Sequence, residues 1–472
     1  MTREEALAIL DLPRPQAEAA LLGLWEKAEQ WERLQTKGPS AEGPVTPTTP
    51  SGMTPVYLKP RARRSRKRPG RKKGHAGAWR RAPARIDTRC EQGLTCCPEC
   101  GEAVGAPVRT HRRLIEDIPT VTPEITEHTV HGHWCRRCKK IVTPKVSAAL
   151  PGATLGLRFI VYTAWLHYCT GMSVGNCVKN AGVALGFAVS PGGLTLAWKN
   201  LAGLLQAQYE AIGQTIRQSA VLHADETGWR INGVTSWLWA FATRQHCYYL
   251  IDRHRGAAVV QQVLGLLFPG ILITDFWGAY NAIGALAKQK CFFHLFTELI
   301  KVDKRNPSTE WQRFRRTLAR LLKDAVRLGE RRHPLDPETY ARRKAKLHTR
   351  LDEIIETVFA DADAKRLIKR LRRHRQEMLT FLDHAEVSPY NNHAEQQMRP
   401  AVLTRKISQQ NRSEDGAKAH AILMSLFRTA ELQGLNPVEH VLTLAQTTLT
   451  AKPTPTDHPE PLKKAAGTVS IG

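Results

Sequence analysis

Two aspartates close apolar runs. Ala220-Val221-Leu222-His223-Ala224 leads into Asp225, and Gly270-Ile271-Leu272-Ile273-Thr274 leads into Asp275. A strand followed at once by an acid places a carboxylate at the rim of a sheet, within reach of metal and substrate. A third acid, Glu395, follows Asn391 and Asn392, either of which can cap a helix. Glu395 then falls in that helix's first turn or just beyond. Three gathered carboxylates can hold two divalent ions about 4 Å apart, one activating a nucleophile and one stabilising a leaving oxygen. Mg2+ (or Mn2+) suits such a site, because Mg2+ takes few carboxylates and keeps waters and phosphate oxygens. The competing reading is that each Asp is a turn or cap residue. Glu226 and Asp252 lie nearby and read as supporting or surface acids.

A second set of residues can bind metal in another way. Cys97-Pro-Glu-Cys100 and Cys135-Arg-Arg-Cys138 are two CxxC pairs. Each pair lets two thiolates grip one ion from a tight turn, and two pairs complete a tetrahedral site for structural Zn2+. Gly101 permits the turn, while Arg137 and Lys139 offset thiolate charge. Disulfides and redox pairs are the alternatives, and nothing in the sequence points to an oxidising compartment. A hairpin of Val108–Leu114 and Thr126–Trp134 would fill the wide gap between the pairs. Cys90 and Cys96 can compete as ligands, whereas Cys169, Cys177, Cys247 and Cys291 sit in apolar contexts and read as core.

The elements that must position these groups follow from periodicity. The run into Asp225, then Ser236–Thr243 and Cys247–Ile251, read as an antiparallel meander. A helix over Gly256–Leu267 returns the chain for the Asp275 strand. A helix over Ala279–Ala287 then precedes a fifth run, Lys290–His294. This is the order of a ribonuclease H-like core, and its third acid comes from a later helix. His223 and His294 can contact phosphate or steady a carboxylate, although a satisfied structural histidine is the commoner case. Trp277 and Tyr280 suit base stacking or core packing equally. The fold class is α/β and multidomain. It comprises an N-terminal helical segment (1–36), a Pro-rich then basic linker (37–90), a zinc-binding module (91–145) and a helical region (150–215). The core follows in two parts (216–299 and 389–450), split by a basic helical insertion (300–388), with a tail at 451–472.

Charge points to the partner. The chain of 472 residues has a formal net charge of +26. Residues 58–90 hold 14 Lys and Arg against one acid, and residues 301–388 hold 23 against 14. Clustered cations of this kind hold a polyanion, most simply nucleic acid, through its phosphates. In the first cluster Lys59, Arg61, Arg63, Arg64, Arg66, Lys67, Arg68, Arg71, Lys72 and Lys73 are the candidate contacts. Beyond Glu395, Arg399, Arg405 and Lys406 can grip a substrate backbone. Ser173–Leu185 and Leu194–Leu205, joined through Ser190-Pro-Gly-Gly, have the layout of a helix-turn-helix. Lys199 is the second helix's single cation, so a purely structural pair is the equal alternative. No apolar run approaches the roughly 18 residues of a transmembrane helix. Met1-Thr-Arg-Glu-Glu5 lacks a signal pattern, so the expected location is cytoplasmic and nucleoid-associated.

His223-Ala-Asp-Glu-Thr-Gly-Trp229, Thr274-Asp-Phe-Trp-Gly-Ala-Tyr280 and Asn391-Asn-His-Ala-Glu-Gln-Gln-Met-Arg-Pro400, with Thr404-Arg-Lys406, closely resemble the insertion-sequence 66 transposase family. The resemblance implies a DDE transposase in which Asp225 and Asp275 bind metal and Glu395 is the catalytic glutamate. It further implies double-stranded DNA as substrate, with terminal inverted repeats and a target. At least two subunits on paired ends, with accessory proteins of the same element, are also implied. Gln396 departs from the Asn-Asn-x-x-Glu-Arg pattern common in such proteins. A zinc-containing DNA-binding protein and a structure-specific nuclease are the alternative functions.

Overall fold

The computed structural model describes residues 83–408 and 410–451. The expected N-terminal helix, the linker, the basic run from Lys59 to Lys73 and the tail from residue 452 lie outside the described residues.

The sheet forms because its strands alternate two apolar faces. The five strands are β3 (Val221–Ile231), β4 (Val234–Ala242), β5 (Cys247–Asp252), β6 (Leu267–Thr274) and β7 (Gly284–Lys290), numbered after two short strands described below. Their order across the sheet is β5-β4-β3-β6-β7, with β5 antiparallel to β4 and β3, β6 and β7 parallel. Leu222, Ala224 and Leu272 enter one core, while Val221, Ile271 and Ile273 meet the other. Successive side chains on a strand point to opposite faces, so each strand feeds both layers.

The first layer holds α1 (Leu157–Tyr168), α2 (Val174–Leu185), α3 (Pro191–Leu204) and α4 (Gln206–Arg217). With it lie α5 (Ala257–Leu264), α11 (Glu414–Leu432) and α12 (Pro437–Thr450). Leu194, Trp198 and Leu201 of α3 share a core with Trp239 and Phe241 of β4. The would-be recognition helix is therefore packed into the scaffold, and its Lys199 pairs with Asp415 of α11. The second layer holds α6 (Phe292–Asp303), α7 (Thr309–Glu330), α8 (Pro337–Glu356) and α9 (Ala362–Arg373). These form the helical insertion. The last helix of the chain's catalytic candidate, α10 (Asn392–Ser408), follows them.

Several expected elements differ. β3 continues to Ile231, so Asp225 sits inside a strand and not at its end. Asn232 and Gly233 both take positive φ, 50° and 76°, which makes the two-residue turn that joins β3 to β4. Residues 279–287 do not form a helix. A single 3-10 segment, Gly278–Ala282, leads into β7, and Lys290 ends that strand. His294 lies in α6, not in a strand. The expected strand Val108–Leu114 is irregular, and only His133–Cys135 (β1) pairs, with Lys140–Val142 (β2).

The exposed edge of β5 is capped by side chains. The backbone N–H of Tyr249 donates to Ser425 Oγ at 2.9 Å, and that of Cys247 to Thr429 Oγ1 at 3.1 Å, both on α11. An uncovered edge strand would otherwise offer its free N–H groups to another chain. At β6, a Cβ added to Gly270 would lie 2.1 Å from Ser219 O and 2.6 Å from Ala220 O, both backbone atoms. Gly270→Ala should therefore destabilise the fold by about 3 kcal/mol or more, since neither carbonyl can swing away. A urea midpoint equal to that of the parent would refute this close approach.

Candidate active site

Register brings the two aspartates together. His223 of β3 lies opposite Ile273 of β6. Two residues further on, Asp225 and Asp275 follow on the same side, close enough for their charges to interact. Both fall on the sheet face that meets the insertion's core. Asp275 directly follows β6, where its Oδ1 accepts the Trp277 N–H at 2.8 Å. Lys290, fully buried at the end of β7, donates to Thr274 Oγ1 at 3.1 Å and to the Asp275 carbonyl at 3.0 Å. Its Nζ also lies 3.6 Å from Glu377 Oε2. Burial lowers the Lys290 pKa, partly offset by Glu377 and Asp275.

Glu395 arrives on the first turn of α10, and Asn391 fixes that turn. The Asn391 carbonyl accepts the Glu395 N–H, as a capping residue's does. Its side chain does not cap the helix in the expected way. Nδ2 donates to Ala224 O at 2.8 Å, beside Asp225, and Oδ1 lies 3.0 Å from His223 Nδ1. Because Nδ2 is the donor to Ala224, Oδ1 accepts, and the proton of His223 sits on Nδ1. Burial pushes His223 down to about 4, so the ring is neutral at physiological pH. The Asn391 N–H donates to Cys291 Sγ at 3.2 Å, and Phe292 N–H donates to Pro389 O at 2.9 Å. His393 Nε2 lies 2.6 Å from the Thr243 carbonyl at the end of β4.

The result is a crowd of carboxylates. Burial first, and then the charges of Glu226, Asp275 and Glu395, hold the Asp225 carboxyl well above the ordinary carboxylate range. Glu395 Oε1 is buried without a hydrogen-bond partner. Buried, mutually repelling carboxylates with an unpaired oxygen suit a divalent cation, which would supply the missing positive charge. Asp225, Asp275 and Glu395 are the residues that would hold it; among the described residues their oxygens are not gathered within 4.8 Å of one another.

Glu226 faces the other side of β3. Tyr280 OH donates to its Oε2 at 2.6 Å, and Arg255 bonds its Oε1 at 2.7 and 3.1 Å. Arg255 itself lies between Trp277 and Trp237, 3.7 and 4.5 Å from their ring centroids. Burial and Asp275 push the Glu226 carboxyl up to about 7, opposed by Arg255 and Tyr280. Glu226 is thus a buried support and not a surface acid. Tyr280 is fully buried, and Trp277 Nε1 bonds the Arg255 carbonyl at 3.1 Å, so both serve this support.

The Transposase IS66 family matches residues 152–419. The chain belongs to that family. No curated protein matches it. The transposase match runs from just before α1 into α11, and so takes in all three acids, Asn391 and the insertion, while the CxxC pairs lie before it. Among the described residues no helix is long and apolar enough to cross a membrane.

Other expected residues fare differently. Arg399 and Lys406 of α10 are exposed, whereas Arg405 is buried and cannot present its guanidinium at the surface as expected. At the first CxxC pair, Cys97 N–H donates to Glu102 O and Gly101 N–H to Cys97 O, both at 2.8 Å, with Gly101 at φ 77°. At the second, Cys138 N–H donates to Cys135 Sγ at 3.4 Å and Lys139 takes φ 49°. Backbone N–H groups lower both the Cys97 and Cys135 thiol pKa, the chemistry a thiolate ligand needs. Each CxxC pair thus sits at a tight turn. Among the described residues, however, the CxxC thiols are not gathered into one cluster of metal-ligating atoms.

Sequence reasoning missed Asn391 as a clamp and Lys290 as the prop under Asp275. Lys290 follows Lys288 and Gln289, so nothing in the sequence set it apart. The carboxylate crowding has a testable consequence. A raised carboxyl binds its proton more tightly folded than unfolded, so stability falls as pH rises above the ordinary carboxylate range. Without added divalent ion, Asp225→Asn should raise Tm at pH 8 and lose that advantage near pH 4. A Tm unchanged or lowered at pH 8 would show that the carboxylates do not repel.

Proposed function

We propose that this chain cuts and joins DNA at the ends of an insertion sequence, with Asp225, Asp275 and Glu395 as the metal-binding catalytic residues on a ribonuclease H-like core. The charge interaction of Asp225 with both Asp275 and Glu395, which arrive from β3, the end of β6 and α10, is the observation that carries this reading. These acids would hold divalent ions, which would supply activation of a water or a 3′-hydroxyl for attack on a phosphodiester and stabilisation of the leaving oxygen. Asp225 and Asp275 fix the cations from the rigid sheet. Asn391 sets the helix turn that brings Glu395 against them. Lys290 holds the backbone of Asp275, and the Glu226–Arg255–Tyr280 group stiffens β3 from behind. The freed 3′-hydroxyl attacks target DNA directly, so no covalent protein intermediate is needed.

The insertion supplies a DNA grip. Arg313, Arg316, Arg320, Lys323 and Arg327 are exposed on α7 at spacings of three and four residues. That spacing makes one cationic stripe about 21 Å long. The opposite face, from Trp311 and Phe314 to Leu328, is buried. Arg399 and Lys406 add cations beyond Glu395. The basic run Lys59–Lys73 contributes a second, sequence-independent hold on phosphates. The paired CxxC knuckles hold structural Zn2+ upstream, and the protein works as an oligomer on paired ends.

Asp225→Asn, Asp275→Asn and Glu395→Gln should each cut Mg2+-dependent cleavage of DNA carrying terminal inverted repeats by about a thousandfold or more. DNA affinity should stay within a few-fold of the parent. Strand transfer at parental rates in these variants would refute the assignment, and cleavage without strand transfer in the parent would mark a nuclease. Changing Arg316, Arg320 and Lys323 together to Gln should reduce the slope of log affinity against log salt by about 3. An unchanged slope would show that the stripe does not meet DNA.

A further inference from the structure

We propose that Cys291, His294 and Glu395 form a second site, sharing Glu395, for one transition-metal ion of the zinc class. Cys291 immediately precedes α6 and His294 lies in its first turn, three residues on, so both present to the same side of the helix. Glu395 reaches them from α10. The thiol sulfur, a ring nitrogen and a carboxylate oxygen all lie within 4.8 Å of one another. Two of the groups carry unused valences. His294 Nδ1 and Glu395 Oε1 are buried without a hydrogen-bond partner. The sulfur accepts the Asn391 N–H at 3.2 Å, while burial pushes its thiol pKa up, so an arriving ion displaces the thiol proton.

The donor set selects the ion. One thiolate, one imidazole and one carboxylate form a mixed sulfur, nitrogen and oxygen set that zinc accepts tetrahedrally, with a fourth position left open. Mg2+ prefers oxygen alone. An ion held here draws Glu395 away from Asp225 and Asp275, so zinc suppresses the Mg2+-dependent reaction. That consequence rests on Glu395 belonging to the catalytic trio; the metal site itself does not.

The test is a titration of Zn2+ against a chromophoric chelator, on the full chain and on Cys291→Ser and His294→Gln. The parent should take up one zinc per chain more than either variant, with the CxxC pairs unchanged in all three. Circular dichroism checks folding, and if Cys291→Ser does not fold, the half-buried His294→Gln decides alone. Equal stoichiometry and affinity in parent and His294→Gln overturns the proposal. Cleavage assays in Mg2+ with added zinc form the second arm, and His294→Gln should resist zinc more than tenfold better than the parent. Loss of one zinc in His294→Gln, with normal cleavage by Glu395→Gln, would leave the metal site standing and remove Glu395 from the catalytic trio.

Discussion

The side chain of Asn391 makes the contact on which the rest of the site depends. It bonds the Ala224 carbonyl of the central strand and the neutral ring of His223, while its own N–H reaches Cys291 at the entry to α6. Those three partners lie 100 to 168 residues away in sequence. All of them are buried, so the amide's bonds form in a setting where an unmet polar group costs about 1–3 kcal/mol. An amide suits the position because it offers a donor and an acceptor at once and carries no charge. One uncharged residue thus sets the distance between Asp225 and the helix that carries Glu395.

Such precision is needed because the carboxylates repel. Burial and three neighbouring acids work against ionised Asp225. A scaffold that let α10 drift would relieve this repulsion and disperse the three acids. The sheet resists on one side through the Glu226–Arg255–Tyr280 group, clasped between two tryptophans. Lys290 resists on the other side, beneath Asp275. Stability is thereby exchanged for a preorganised anionic site, a common arrangement where charge must meet metal.

Much of the fold was legible because strands with two buried faces leave continuous apolar runs. Leu222-His223-Ala224 and Ile271-Leu272-Ile273 stood out for that reason, and acids beside them drew attention. The strand through Asp225 was cut short because Glu226 and Thr227 look like a turn. Glu226 is tolerated in a strand only because Arg255, 29 residues on, answers its charge. The segment 279–287 looked helical from Ala and Leu, yet it forms a 3-10 turn to Ala282, and pairing with β6 makes a strand from Gly284. Local propensity yields there to a ladder of long-range hydrogen bonds.

The amino-acid sequence by itself determined the family and the basic character of the insertion, and singled out three acids as candidates, since motifs and charges are local in the chain. The tertiary structure alone decided the rest. It set Asp225 near Asp275, buried Arg405 and packed the α2–α3 pair into the sheet's core. It also turned Asn391 from an ordinary helix cap into a clamp, and brought Cys291 and His294 against Glu395. Each of these depends on groups meeting from distant segments, and only the packing of two helical layers on one twisted sheet fixes where they meet.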